Sequence, residues 1–204
     1  MNIRSFLIIF AMSSLLHSEE NFGIVVHGGA GVMSGLSEER QQEIHKKIQE
    51  TVSEAYDILE KGGSSLDAVE LAVSMLEDSP LFNAGRGSVY NSDEVQEMDA
   101  SIMDGKNRLS GAVASVTSVK NPIKLARKVA EETKHVLLMG EGAERFAKDI
   151  GIDIVEKDYF YNEERLKRLR NSKKKISKLN ESTDKIGTVG AVAPVSYTHL
   201  RAHE

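Results

Sequence analysis

A threonine stands between two glycines at the start of a short apolar run, Gly187-Thr188-Val189-Gly190-Ala191-Val192-Ala193. Alternation of valine and alanine with glycine predicts a strand whose backbone packs closely against neighbours on both faces. One interpretation is a buried sheet edge that tolerates a single hydroxyl. The other interpretation is chemical. A threonine hydroxyl is a weak nucleophile without an adjacent base, and the threonine's own α-amino group becomes that base once the preceding peptide bond is cut.

Gly187 makes a cut before Thr188 chemically feasible. A residue without Cβ adopts backbone conformations that let the Thr188 hydroxyl approach the preceding carbonyl. The α-amine that such a cut releases has a pKa of about 7.7–8.0, which suits a general base near neutral pH. The residues therefore permit a nucleophilic Thr188, with Gly187–Thr188 as the cleavage site, but do not require one.

Several other segments carry recognisable motifs in a fixed order along the chain. They are Val26-His27-Gly28-Gly29-Ala30-Gly31, residues 62–69, 80–87, 97–105, 111–113 and 121–126. Together with residues 187–193 they resemble the plant-type L-asparaginases, also called isoaspartyl peptidases, of the N-terminal-nucleophile hydrolase superfamily. The resemblance covers residues 22–193.

The resemblance implies an α/β fold, the four-layer αββα sandwich of N-terminal-nucleophile hydrolases. Family precursors cut themselves into α and β subunits, and Thr188 would be the first residue of the β subunit. The β subunit of the family also contains two further threonines, an oxyanion-hole glycine and an arginine–aspartate pair that binds substrate. None of these has a counterpart in the chain, so we expect an incomplete fragment, the α subunit plus the first β-subunit residues, without activity of its own.

The resemblance also implies roles for residues of the α portion. Thr188 matches the catalytic nucleophile, and Asn83, Gly28 and Gly29 match residues that position it. An Asx turn is the alternative role for Asn83. The carboxylate of Asp99 is expected to be structural and hydrogen-bonded. A structural sodium ion would be held by the main-chain carbonyls of Leu76, Glu77, Ser79, Phe82, Ala84 and Arg86. Carbonyl oxygens suit a hard cation but leave no side-chain signature, and no organic cofactor is expected.

The chain divides into five stretches by composition and motif. Residues 1–18 have the anatomy of a signal peptide, whose apolar core is too short to span a bilayer. If this leader is cleaved, the protein enters the secretory route or is extracellular; otherwise it is cytoplasmic. Residues 19–157 form the predicted α-subunit core, 158–187 a basic flexible linker that ends at the cleavage site, and 188–193 the start of the β subunit. Residues 194–204 do not continue the family pattern, and Pro194 is expected to interrupt the strand.

Local signals predict most elements of the core. Ser37 is expected to cap a first helix, and Ser64 with Asp67 has the form of a capping box, which makes Asp67 a cap and not a catalytic acid. A hairpin is expected to turn at Asp104-Gly105. Asn121 is expected to cap a later helix, with proline at its first position. His27 is interpreted as a structural residue at a strand end, because the α-amine already supplies the base.

Composition narrows the function further. The chain has 204 residues and a formal net charge of −5. Because it has no cysteine, thiolate metal sites, disulfides and cysteine nucleophiles are excluded. The expected function is hydrolysis of L-asparagine and β-aspartyl dipeptides by a dimer of αβ units, with no nucleic-acid or membrane partner. Three alternatives stay open: the glycosylasparaginase branch, the protease branch of the same superfamily, and a polyanion-binding module built on the basic run at residues 165–178.

Overall fold

The computed structural model describes residues 22–29, 35–176 and 188–195, and these form a mixed α/β fold, as predicted. The predicted leader, residues 1–18, and Gly187 lie outside the described residues. The elements in chain order are β1 (Val25–His27), α1 (Glu38–Glu60), α2 (Ser65–Glu77), β2 (Met98–Asp104), β3 (Leu109–Val116), α3 (Pro122–Glu132), β4 (Leu137–Met139), α4 (Gly140–Asp149), α5 (Glu163–Ile176) and β5 (Gly190–Val192).

A three-stranded sheet with the order β2-β3-β4 forms the larger layer. Strands β2 and β3 are antiparallel, and β3 and β4 are parallel. Helices α3 and α4 pack against this sheet. Gly111 of β3 permits the close approach of α3, because a Cβ at this position would overlap the carbonyl oxygen of Ala126. The core of the layer consists of alternate strand residues and one helix face: Ala100, Ile102, Val113, Val116, Ile123 and Val129.

A second sheet joins the two ends of the described chain. Strand β1 pairs antiparallel with β5, placing Val26 opposite Ala191 and His27 opposite Gly190. Helix α1 contacts β1, and α2 contacts β5. The strand after Thr188 was predicted to stop at Pro194, and β5 ends at Val192. However, the Pro194 carbonyl still accepts a 3.2 Å hydrogen bond from the Gly23 N–H, because proline lacks only the donor.

The predicted caps of the first two helices are present. Ser37 Oγ accepts a 3.3 Å hydrogen bond from the Arg40 N–H at the start of α1. Ser64 and Asp67 form a reciprocal capping box at the start of α2. Asp67 also forms an ion pair of 2.8 Å with Arg127 of α3. Its role as a cap is therefore confirmed, with an additional link between two helices.

Two other predictions, the Asn121 cap with proline at the first helical position and the hairpin turn at Asp104-Gly105, are correct in place but wrong in detail. Asn121 precedes α3 but makes no capping hydrogen bond with its side chain. The hairpin does not turn on Asp104-Gly105 alone, because residues 105–108 form a four-residue connection. Asp104 Oδ1 accepts from the Lys106 N–H at 2.9 Å, and Arg108 adopts a positive φ of 55°. The short polar side chain of Asp104 organises a longer turn than the dipeptide suggests.

The basic stretch that was predicted to be a flexible linker contains helix α5. Glu163 pairs with Lys167 and Glu164 with Arg168, each at 2.7 Å and four residues apart. This spacing supports a helix, which the count of basic residues did not reveal. No helix of the described residues is long and apolar enough to cross a membrane.

Candidate active site

The predicted nucleophile and the asparagine predicted to position it lie at the same cavity. This cavity has a volume of about 440 Å³ and is lined by Thr188 and Asn83. Its floor includes residues of β2 and β3: Asp99, Ala100, Ser101, Ala112, Val113 and Ala114. The fold therefore brings together two residues from distant parts of the chain.

Thr188 is held at the cavity by the strand that follows it. Thr188 itself is exposed, whereas Val189 is fully buried in the core. The pairing of β5 with β1 then fixes the next residues, and Gly190 packs under the His27 ring, where a Cβ would overlap Nε2. His27 does not belong to the described lining of the cavity. The strand thus holds Thr188 at the cavity, while Val189 anchors the strand in the core.

Asn83 has an ordered side chain. Its Oδ1 accepts a 2.9 Å hydrogen bond from the Val89 N–H, six residues further along. An Asx turn would bond the backbone two residues on, so this contact across six residues is not the Asx turn that was the alternative role. The hydrogen bond fixes the plane of the amide, so that Asn83 has one orientation while it lines the cavity.

Gly28 and Gly29 lie outside the cavity lining, and Gly28 packs next to the loop that carries Asn83. Gly28 packs against the ring of Phe82, where an added Cβ would lie 2.7 Å from Cε1. Gly29 has a φ of 107°, which side-chain-bearing residues rarely adopt. Neither glycine is among the described residues that line the cavity. Because Phe82 immediately precedes Asn83, the glycine turn supports the asparagine loop from behind.

In the loop that follows α2, two carbonyl oxygens lie close against glycine residues. Gly85 has a φ of 47°, and a Cβ there would overlap the Glu77 carbonyl oxygen. A Cβ at Gly87 would overlap the Phe82 carbonyl oxygen. The carbonyl oxygens of Glu77 and Phe82, two of the six predicted ligands, thus occupy space that a side chain at Gly85 or Gly87 would fill. We call these two carbonyls and two glycines the carbonyl cradle. Its oxygen atoms are of the kind that binds a hard cation.

Other groups of the loop are also consistent with main-chain ligands. The carbonyl of Leu76 accepts from the Ser79 N–H at 3.1 Å, and that of Ala84 accepts from the Gly87 N–H at 2.9 Å. Each carbonyl retains a second lone pair for a cation. No group of three or more His, Cys, Asp or Glu side chains suited to a metal occurs in the part of the chain that the structure describes. Any cation at this loop would depend on backbone oxygens.

The charged side chains that line the cavity are all acidic among its described lining residues. Glu77, Glu97 and Asp99 line it, and no lysine, arginine or histidine is among its described lining residues. Asp99 Oδ1 accepts a 2.8 Å hydrogen bond from the Ser115 N–H, at a bulge where Ser115 has a φ of 51°. The carboxylate is thus structural, as the resemblance implied. Glu97 Oε2 accepts from Asn91 Nδ2 at 2.8 Å.

Glu97 and Ser101 also line the cavity, although neither was predicted from the sequence to be a site residue. Asp99 and Ser101 are two positions apart on β2, so their side chains lie on the same face of the sheet. Glu97 precedes the strand by one residue and continues the same alternation. The period-two pattern was therefore a usable signal, but it did not indicate which face would border a cavity.

The fold and the cavity define a mixed α/β protein with a hydroxyl-bearing residue at an acidic cleft, an arrangement suited to hydrolytic chemistry. A model of the asparaginase family matches residues 20–202 of the chain. This match extends beyond Ala193, where the motif resemblance ends. The chain belongs to the asparaginase family.

Curated relatives agree with this assignment. The isoaspartyl peptidase/L-asparaginase of Rattus norvegicus is 48% identical over 173 residues, which cover 83% of this chain and 51% of the rat protein. The protein of the same name from Xenopus laevis is 49% identical over 172 residues, which cover 83% of this chain and 54% of the frog protein. The protein of the same name from Homo sapiens is 44% identical over 171 residues, which cover 83% of this chain and 55% of the human protein. The chain therefore spans about half the length of the curated relatives it matches.

Proposed function

We propose that the full-length protein hydrolyses L-asparagine and β-aspartyl dipeptides, with Thr188 as the nucleophile after self-cleavage of the Gly187–Thr188 bond. The observation that carries this proposal is the shared cavity of Thr188 and Asn83. The names of the rat, frog and human relatives support the choice of substrates.

The proposed chemistry uses the terminal threonine for both nucleophile and base. The free α-amine of Thr188 takes the hydroxyl proton while the oxygen attacks the side-chain carbonyl of the substrate. The amine then returns the proton to the departing nitrogen, which leaves as ammonia from asparagine or as the amine of the released amino acid from a β-aspartyl dipeptide. A water molecule attacks the resulting β-aspartyl ester, releases aspartate and restores the hydroxyl.

Asn83 and the carbonyl loop have supporting roles in this proposal. The Asn83 amide, fixed by the Val89 N–H, orients the threonine, and Gly28 and Gly29 back the loop that carries it. A sodium ion would be held by the main-chain carbonyls of Leu76, Glu77, Ser79, Phe82, Ala84 and Arg86. Its charge would hold converging carbonyl dipoles that otherwise repel one another.

The exposed face of the larger sheet supports the four-layer sandwich. Helices α3 and α4 cover one face, while on the other face Met103, Leu137 and Met139 are 44%, 51% and 61% exposed. Large apolar side chains grouped on a sheet face favour burial against a second layer. We propose that the remaining half of the protein supplies this layer, and that two such αβ units form a dimer.

The alternative functions are less well supported. The glycosylasparaginase branch has an aspartate before the threonine, whereas this chain has Gly187. The polyanion-binding alternative needs accessible cations on α5. Within the described part of α5, Lys167 and Arg168 pair with glutamates of the same helix, and Arg170 pairs with Glu94.

The test is to express the full-length precursor and its Thr188 variants. Wild-type protein should yield two chains on a denaturing gel, and the product should release ammonia from L-asparagine. Thr188→Ala should remain one chain without activity, while Thr188→Ser should retain partial cleavage because it keeps a hydroxyl. Cleavage of the Thr188→Ala precursor at the same bond would refute self-processing by Thr188.

A further inference from the structure

Tyr159 contacts both ends of the loop that carries Asn83. Its hydroxyl donates a 3.2 Å hydrogen bond to Asp78 Oδ1, directly after α2. Its ring lies under Arg86, with 5.3 Å between the guanidinium carbon and the ring centroid. Asp78 and Arg86 flank the segment that contains Asn83 and three of the six candidate carbonyl ligands, Ser79, Phe82 and Ala84. One side chain therefore connects the beginning of this segment to its end.

Neighbouring groups hold Tyr159 and Asp78 in place. The ring of Phe160, which is 1% exposed, packs edge-on against Tyr159 with 5.1 Å between centroids. Asp78 Oδ1 also accepts from Asn121 Nδ2 at 3.2 Å, and Lys120 Nζ lies 3.8 Å away. Burial and the negative charge of Asp78 raise the pKa of Tyr159 to about 12. The hydroxyl therefore keeps its proton, and so its ability to donate, at neutral pH.

We propose that Tyr159 is a positioning residue that closes the loop from Asp78 to Arg86 and thereby fixes Asn83 and the carbonyl oxygens. Tyr159 falls within residues 158–187, which were predicted to be a flexible linker, so a positioning role was not expected for it. Closure of the loop depends only on the contacts above. Its catalytic consequence rests on the function proposed for Thr188.

Amide hydrogen exchange of the full-length protein tests the closure directly. Two amides report on the loop: Gly87 N–H, bonded to the Ala84 carbonyl, and Val89 N–H, bonded to Asn83 Oδ1. Tyr159→Leu removes the hydroxyl and the ring, so exchange of both amides should accelerate about tenfold, the effect of losing one hydrogen bond and one cation–π contact. The Ala112 N–H, bonded to Val136 O in the sheet, serves as the reference and should not change.

Two further variants separate the contributions. Tyr159→Phe keeps the ring under Arg86 but loses the bond to Asp78, so its effect on exchange should be intermediate. Tyr161→Leu is the control, because Tyr161 is only two residues away and 59% exposed. It should leave both loop amides unchanged. Unchanged loop exchange in Tyr159→Leu, or equal acceleration at Ala112, would overturn the proposal.

Kinetics of the full-length enzyme then test the consequence for the reaction. Tyr159→Leu should lower kcat with little change in KM, and Tyr159→Phe should restore part of the loss. A rise in KM alone would contradict a role through the nucleophile. If the wild-type precursor neither cleaves itself nor hydrolyses asparagine, the proposed function fails, whereas the exchange result still decides whether Tyr159 closes the loop.

Discussion

Glu77 Oε1 accepts a 3.0 Å hydrogen bond from the backbone N–H of Ile123. Glu77 is the last residue of α2 and is 2% exposed, while Ile123 lies in the first turn of α3. A carboxylate at a helix N-terminus satisfies an otherwise unbonded N–H and interacts favourably with the helix dipole. The same residue contributes its carbonyl to the cradle at Gly85. Glu77 thus joins the candidate cation loop to the helix that covers the larger sheet.

Replacing Glu77 should therefore destabilise the protein. Glu77→Ala leaves the buried Ile123 N–H without its acceptor, and we expect a loss of about 2–3 kcal/mol in the free energy of unfolding. Glu77→Gln keeps an amide oxygen at the same position and should cost less. Urea unfolding of the full-length protein measures both, with Glu60→Ala on the exposed end of α1 as the control. Equal stability of Glu77→Ala and the wild type would contradict the capping role.

Gly85 and Gly140 form a matched pair for testing the carbonyl cradle. Their φ values are 47° and 52°, but only Gly85 has close neighbours from elsewhere in the fold, since a Cβ at Gly140 would meet no atom within 4 Å beyond its chain neighbours and its own helix backbone. Both alanine variants incur backbone strain, and Gly85→Ala in addition overlaps the Glu77 carbonyl. We expect Gly85→Ala to lose about 1–3 kcal/mol more than Gly140→Ala in thermal or urea unfolding. Equal losses would show that the carbonyl does not lie where the cradle requires it.

Glu144 should make the stability depend on pH in the acid range. Burial alone would raise its pKa, but hydrogen bonds from the Thr117 N–H, the Thr117 hydroxyl and the Ser118 N–H outweigh burial and lower it below 4.5. The folded state therefore favours the charged form. This contribution is present above the unfolded pKa and is lost as pH falls through the lower folded value. Melting temperatures from pH 7 to pH 2 should decline less steeply in Glu144→Gln than in the wild type; parallel curves would refute the assignment.

The 204-residue chain on its own should neither cleave itself nor hydrolyse asparagine. The apolar face with Met103, Leu137 and Met139 has no covering layer among the described residues. At about 25 cal/mol per Å², several hundred Å² of unburied surface corresponds to on the order of 10 kcal/mol. We expect aggregation in size-exclusion chromatography, reduced by the double variant Leu137→Lys, Met139→Lys. A soluble, cleaved and active 204-residue product would overturn the need for a second half.

The leader should be removed in the native source. The apolar core within residues 1–18 has the length of the apolar region of a signal peptide, so the isolated protein should begin near Glu19. N-terminal sequencing of the native protein measures this directly. An intact Met1 would contradict removal of the leader.

The class of fold followed from the resemblance to a known family. The caps at Ser37 and Ser64, and the individual short motifs behind that resemblance, were visible as local patterns. Each depends on residues within one or two turns of one another, and such patterns are written in the sequence. The pairs along α5, such as Glu163 with Lys167, were equally local. These pairs predict a helix from their spacing of four residues, but the many basic residues of this stretch pointed to a flexible linker instead.

Contacts between distant residues depended on the tertiary structure. The partners Glu77 and Ile123 are 46 residues apart, and Asp78 and Tyr159 are 81 apart. Asn121 looked like a helix cap, but its side chain bonds Asp78, and Glu77 supplies the acceptor for α3 instead. Any of several acidic residues could accept a hydrogen bond from the first turn of α3, so the sequence alone does not specify which one does. Only the packing of α2 against α3 and of the 157–159 turn against the loop decides these partners.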